Sequence, residues 1–536
     1  MDVPQCEVIM RTAWVILILP IVAAPPAAAQ DHAHPAGDAS TLGSVEFPVS
    51  CASDVQPRMN KAVAMLHSFW FDAASVAFSE IAASDPDCGM AHWGLAVTHM
   101  GNPMTRAAPT PAALELGQAA TARAAALAGS ESHREQMYIA AVQAYYAGEG
   151  THLERMRAFE DALDALRRMH ADDMEAAIFH ARTVIANASP DAGGAETLVA
   201  TAEQLQPLFA RHPDHPGLAH YLIHAYDVPA LAQRGVDAAK AYAAIAPDAP
   251  HALHMPSHIF TRLGYWDESI ETNIRSARAE PDSNAAVHPN DYLVYAYLQQ
   301  GRDRDAHRVV ERAVEAADRF YGGLVGYNSA AMPARYALER SAWQEAAALP
   351  VPTGALLYVE AIPRFARALG AARSGRPEAA RQEVAALAGL VTRLRNGGEP
   401  EWATRTEAQQ LAASAWVEHA AGRNEDALRL ARRAAELEAT VEKHPVTPGP
   451  LLPARELEAD LLLELGRHAE AQRAYEQTLE REPRRARALY GAARAAELAG
   501  DTAAAARHFS ELASLLERAD AGREDAAAAR RFLERR

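Results

Sequence analysis

Basic side chains are in deficit: 52 Lys and Arg stand against 69 Asp and Glu, leaving a net charge of −17. That balance argues against nucleic acid or anionic lipid as the main partner, because both need a broad positive footprint. Cysteine is scarce. Of three in the chain, Cys6 lies in an N-terminal leader-like stretch, so a single pairing, Cys51 with Cys88, is all that an oxidising compartment could form. Long apolar runs are missing after residue 29, and nothing there predicts a membrane span. Alternating β-branched runs bounded by turns are missing too, which excludes an extensive sheet. No G-x-S-x-G, P-loop, G-x-G-x-x-G or C-x-x-C-H stands at a credible place, so nucleophile-elbow, nucleotide and c-type haem chemistries drop out. What is present, 49% hydrophobic and 23% charged residues, is ample for a packed core and excludes wholesale disorder.

The N-terminus reads as an address. Met10-Arg11 opens a basic start, Trp14 to Ala24 is apolar, and Ala27-x-Ala29 offers small residues for a peptidase. Residues 1–29 are therefore expected to be a cleaved signal peptide, and the protein to be periplasmic or secreted without membrane insertion after cleavage. Residues 30–45 read as a disordered polar linker. A Cys51–Cys88 disulfide would close a loop of 37 positions and stabilise by about 4 kcal/mol on loop-closure grounds. The competing reading is a pair of free thiols, with Cys88 beside Met90 and His92 available to a soft metal.

Self-similarity organises the rest. Gly466, Ala471, Tyr475 and Pro483 sit at the offsets of a 34-residue helix–turn–helix repeat, and Gly500, Ala505 and Phe509 repeat the frame. It recurs at Gly422/Ala427/Ala431, Gly375/Ala380/Val384, Gly301/Ala306/Val310, Gly264/Ser269/Pro281 and, without the glycine, Ala74/Phe78/Ile81/Pro86. This resembles the tetratricopeptide repeat (TPR), in which glycine permits the turn, alanine the close helix approach, and an aromatic ring fills the gap. The expected fold is all-α, a TPR-like helix–turn–helix solenoid. Breakers at 349–354 and 444–453 divide it into a histidine-rich region 46–348, central repeats 355–443, and C-terminal repeats with a capping helix 454–536.

Histidines are unevenly spread. Seven of 22 fall between His212 and His258, whereas residues 308–536 hold only four. His220 and His224 lie at i and i+4, one turn apart on one helix face, and His254 and His258 repeat the spacing, with Pro256 expected to start or kink a helix between them. These four are the expected ligands of a transition metal, zinc or copper. His288, with Asn290 and Asp291 at the start of a repeat, is a weaker candidate, though Asn290 or Asp291 equally suits a helix N-cap. His92 and His99, in a segment rich in Met and His, are weaker still, since methionine at helical spacing is usually core filler. Tyr221 stands where a zinc protease helix carries its glutamate, which argues against that chemistry. Asp227 and Asp291 are the candidate bases of any other reaction.

Leu66-His-Ser-Phe-Trp, Ala91-His-Trp-Gly-Leu-Ala96, Ala219-His-Tyr-Leu-Ile-His-Ala-Tyr-Asp227 and Ala252-Leu-His-Met-Pro-Ser-His-Ile-Phe260 together look like a family of exported bacterial TPR proteins. The resemblance spans roughly residues 50–345; beyond 365 only generic repeats are recognisable. It implies the solenoid and export and names no reaction. Three functions follow as expectations: a solenoid binding a protein or peptide in its concave groove with a His-lined metal site; a hydrolytic or oxidative metal-dependent enzyme on the same helices; or an interaction scaffold whose histidines merely pack.

Overall fold

The computed structural model describes residues 41–188, 192–280, 286–316 and 323–535. The expected signal peptide and most of the expected linker lie outside these residues. Residues 41–45, read above as disordered, are instead packed: Leu42 and Val45 are buried, and the Ser44 amide donates to the Asp214 carbonyl at 3.0 Å. Leu42, Val45 and Phe47 supply apolar area that a purely polar reading of the stretch overlooked.

The described residues form α-helices and short 3₁₀ turns with no strand, and most helices pack chiefly on a neighbour in the chain. The fold is an all-α, TPR-like helical solenoid. The repeat frame holds where it was drawn. Gly264, Gly301, Gly375, Gly422, Gly466 and Gly500 all have φ between 66° and 81°, the left-handed conformation that ends a helix and that side chains with a Cβ resist. The small or aromatic partners Ser269, Ala306, Ala380, Ala427, Ala471, Tyr475, Ala505 and Phe509 are all buried. The expected capping helix runs Glu524–Glu534 and buries Ala526, Ala529 and Phe532 on one face.

Among the described residues no helix is long and apolar enough to cross a membrane. Cys51 and Cys88 form a disulfide, with Cα atoms 4.9 Å apart.

Three apolar cores follow. One spans 42–260, one spans 327–495, and the third joins residues 266–332 to residues 486–532. The third core brings the last repeats back onto the middle of the chain. The Trp266 indole donates to the Arg484 carbonyl (3.0 Å), the Arg484 guanidinium donates to the Gly264 carbonyl (3.0 Å), and Arg523 pairs with Asp303 (2.8 Å). A Cβ on Gly264 would stand 2.5 Å from the Pro483 carbonyl oxygen, so glycine there serves both the turn and the docking. Arg485, fully buried, spans Glu339 (2.7 Å) and Glu456 (2.6 Å).

The proline-rich segment 443–453 is threaded through the interior rather than looped outside. Arg335 donates to the carbonyls of Pro450 (2.8 Å) and Gly449 (3.2 Å), the Asn328 amide donates to the Val446 carbonyl (2.7 Å), and the Tyr292 hydroxyl to the Thr447 carbonyl (3.2 Å). On its other side His444 stacks on Trp402, ring centroids 4.9 Å apart.

Candidate metal centre

Four helices carry the site. The helix Pro216–Tyr226 begins with proline at its first position and with His215 as N-cap, whose Nδ1 accepts the Leu218 amide; all eleven of its residues are buried. It presents His220 and His224. The helices Pro250–His254 and Pro256–Leu263 meet at Met255, which keeps helical angles (φ −52°, ψ −36°). Pro256 therefore starts a new helix without breaking the winding, and the i, i+4 geometry of His254 and His258 survives. His288 stands in the first turn of the helix Val287–Gln299, whose N-cap is Ala286; neither Asn290 nor Asp291 caps it.

The imidazoles gather as two triads rather than one set of four. His220, His224 and His251 form the first and His254, His258 and His288 the second, the candidate ligand atoms within each lying within 4.8 Å of one another. In the first, His220 Nε2 is 3.1 Å from both His224 Nε2 and His251 Nε2. In the second, His254 Nε2 and His258 Nε2 are 3.1 Å apart. The triads adjoin: ring centroids of His224 and His258 are 5.9 Å apart, and those of His251 and His254 6.0 Å. His251 was passed over as a ligand in the sequence because it has no i+4 partner; its i+3 spacing to His254 and the local histidine excess were the available signal.

The far nitrogens fix the tautomers. His220 Nδ1 donates to the His67 carbonyl (2.6 Å) and His258 Nδ1 donates to the Asp227 carboxylate (2.8 Å). His254 Nδ1 lies 2.6 Å from Asn273 Oδ1, and the amide's own orientation is set because its NH₂ donates to the Ser269 carbonyl (2.6 Å). Neutral imidazole has one N–H, so His220, His254 and His258 each turn an unprotonated Nε2 inward. Between His254 and His258 two lone pairs then face each other at 3.1 Å with no proton to share. Burial first, then neighbouring imidazoles and charges, hold His220, His224, His251, His254 and His288 well below the usual 6.5. Burial lowers His258 as well, opposed by Asp227. At neutral pH all six rings are in the form that ligates a metal.

Five of the six rings line a cavity of about 230 Å³, with His220 behind them. His251 and His288 keep part of their surface exposed, which opens the cavity to solvent. His288 Nδ1 is buried with no hydrogen-bond partner among the described residues. Phe69, at φ 52°, holds a left-handed conformation that a bulky residue adopts at a cost of about 1 kcal/mol. The strained turn lays its ring edge-on to His220 (4.4 Å) and flat against His251 (5.4 Å).

The candidate bases are otherwise engaged. The Asp227 oxygens accept from His258 (2.8 Å), Arg262 (3.0 Å) and Lys443 (2.8 Å), which hold its carboxyl well below the usual range against the push of burial. Asp227 thus orients the His258 ring rather than taking a proton. Lys443, buried, is lowered to about 8 despite Asp227. Asp291 is buried against Arg335 (3.2 Å) and Asn328 (3.1 Å) and does not line the cavity. His92 and His99, both partly exposed, do not line it either.

A third grouping is a finished polar network. Glu175, fully enclosed, accepts from His67 Nε2 and His215 Nε2, both at 2.8 Å, while His67 Nδ1 accepts from the Tyr221 hydroxyl (3.0 Å). Both ring N–H groups are used, so no imidazole lone pair is left over for a metal. Burial would raise the Glu175 carboxyl, but the two imidazoles bring it down to about 2. The network's function is support: its His67 carbonyl fixes the His220 tautomer, and a Cβ on Gly217 would strike His67 Nδ1 at 2.8 Å. A larger cavity, about 440 Å³, lies beyond Lys443 and His444 against Trp402 and Tyr358, without a histidine cluster.

A tetratricopeptide-repeat family matches residues 457–526, the last repeats, and leaves the histidine-bearing half uncovered. No curated protein matches the chain. Among solved structures, the crystal structure of yeast Tom70 aligns over 90% of this chain and 95% of that one, at 10% identity and a TM-score of 0.27. At that score the likeness carries no functional inference.

Proposed function

We propose that the chain is a metal-binding solenoid protein, with a transition-metal ion at each histidine triad: His220, His224 and His251 for one, His254, His258 and His288 for the other. The observation that carries this is the 3.1 Å approach of the His254 and His258 Nε2 atoms while both Nδ1 protons are used elsewhere. Opposed lone pairs at that distance repel, and a cation between them turns the repulsion into two ligand bonds. Outer partners support the assignment, since ligand imidazoles are normally oriented by a carbonyl or carboxylate on their other nitrogen.

Export suits this reading. An N-terminal signal peptide and a Cys51–Cys88 disulfide belong together in an oxidising compartment. Repeat solenoids commonly bind protein partners on their extended faces. A peptide partner of this chain would dock away from the space between residues 227–335 and the helices after 400, because the segment 443–453 fills it. A solvent-open cavity beside two three-histidine sets also suits a reaction on a small molecule more than a purely structural metal.

The test is metal content of the full chain, purified without a histidine tag and titrated with zinc or copper(I), by elemental mass spectrometry. Two ions per chain are expected, falling to one or fewer in His254→Ala/His258→Ala and in His220→Ala/His224→Ala, with helical circular dichroism retained. A wild-type chain that takes up no ion overturns the reading and returns the cluster to a packed polar network.

A further inference from the structure

Resting on the metal reading just given, we propose that the two triads form one dinuclear copper centre and that its external ligand is dioxygen, bound between the two ions at the wall of the 230 Å³ cavity.

Proximity comes first. Rings of opposite triads lie 5.9 Å and 6.0 Å apart between centroids, in contact across the gap, so the ions they hold share one exposed face of the cavity. Two-metal sites whose ions stand about 3.5–4 Å apart clamp a single small ligand, an approach for which the ligand rings of the two sets must adjoin as these do.

Charge decides the metal. All six ligands are neutral, and no carboxylate lines the cavity. The closest acid, Asp227, is engaged by Arg262, Lys443 and the far nitrogen of His258, so it is not free to serve as an anionic ligand. A pair of divalent ions would add four charges to this buried site with no anionic ligand, a large desolvation cost. Two cuprous ions add half as much. Three imidazole nitrogens satisfy copper(I), and imidazole is a donor that copper accepts in both oxidation states.

The chemistry then closes on itself. Each copper(I) gives up one electron, dioxygen takes both and becomes a bridging peroxide dianion, and two copper(II) ions result. No proton or outside reductant enters. The missing anionic ligand is thereby generated at the moment that the metal charge rises. The cavity wall suits an apolar gas: Phe69, Met104, Pro289, Val325, Pro445 and Val446 contribute to it. A cavity of about 150 Å³ accommodates a benzene-sized molecule, so this one has room for an aromatic reductant beside the centre.

The experiment loads the full-length chain with copper(I) under nitrogen, then admits oxygen. The expected result is two coppers per chain, an absorption band from peroxide-to-copper(II) charge transfer, and no electron paramagnetic resonance, because copper(II) ions bridged by one ligand couple antiferromagnetically. His288→Gln and His224→Gln, one from each triad, should each lose the band, and what copper they retain should give an ordinary copper(II) resonance after oxidation. Two coppers whose resonance integrates to two spins would overturn the dinuclear centre while leaving two separate metal sites. Copper(I) that oxygen does not alter would overturn the dioxygen assignment. Zinc bound to the exclusion of copper would overturn the metal. Absence of any bound metal would overturn the underlying reading as well.

Discussion

Replacing Asp227 by Asn should separate the electrostatics of the site from its packing. The carboxylate joins the His258 ring to the buried Arg262 and Lys443, at 2.8, 3.0 and 2.8 Å. Asn preserves shape and one acceptor, which can serve only one of the two cations. Breaking a buried ion pair by removing one partner costs about 3–5 kcal/mol. Two escapes lower that figure here. Arg262 has a second acid, Glu442, at 3.5 Å, and Lys443, already lowered to about 8, can shed its proton at pH 7 for about 1.4 kcal/mol per pH unit. The expected loss for the metal-free protein at pH 7 is therefore about 3 kcal/mol, read by chemical denaturation, and should shrink at pH 9, where Lys443 is neutral at little cost. Loss of the orienting carboxylate should also weaken metal binding about 10–100-fold at the second triad. The first triad, oriented by the His67 carbonyl, should keep its affinity. Asp164→Asn, whose partners Arg167 and Arg168 are half-buried and exposed respectively, is the control and should cost less than about 1 kcal/mol. A D227N protein as stable as that control, or one weakened equally at both triads, would refute the reasoning.

Arg485→Ala leaves Glu339 buried and unpaired, while Glu456 keeps Arg487 at 2.8 Å, and should destabilise by about 3–5 kcal/mol, whereas Arg485→Met with Glu339→Gln should recover most of that loss; thermal melts of the two would decide. Gly264→Ala and Gly422→Ala face the same left-handed strain of about 1–2 kcal/mol, but only the first meets a backbone oxygen at 2.5 Å. G264A should therefore lose clearly more stability than G422A and expose the docked C-terminal repeats to hydrogen exchange; equal losses would argue against that docking. Burial pushes His444 down to about 3, with Glu401 opposing. The unfolded chain protonates this ring near 6.5 and the folded one does not, so stability is full above pH 6.5 and falls by about 1.4 kcal/mol per pH unit as pH drops toward 3. His444→Gln should remove that part of the acid slope in pH-dependent unfolding.

Much of the fold was legible along the chain, because a TPR-like repeat is specified by contacts between neighbouring helices. The left-handed turns at Gly264 to Gly500 and the buried Ala471, Tyr475, Ala505 and Phe509 needed no long-range information. The pairs His220/His224 and His254/His258 were legible for the same reason, since i, i+4 spacing is a property of one helix. Tertiary structure decided what spacing does not encode. It divided the four expected ligands between two triads, added His251 and raised His288 from a weaker candidate, because it packs the helices Pro216–Tyr226, Pro250–His254, Pro256–Leu263 and Val287–Gln299 against one another. It tied Asp227 to Lys443, 216 positions away, and so made an orienting group of a candidate base. It also threaded 443–453 through the interior and folded residues 486–532 onto 266–332, contacts that depend on how the repeats curve and that no local pattern records. Periodicity along one chain fixes helices and the faces they offer; which faces meet is settled only by the packing free energy of the whole assembly of helices.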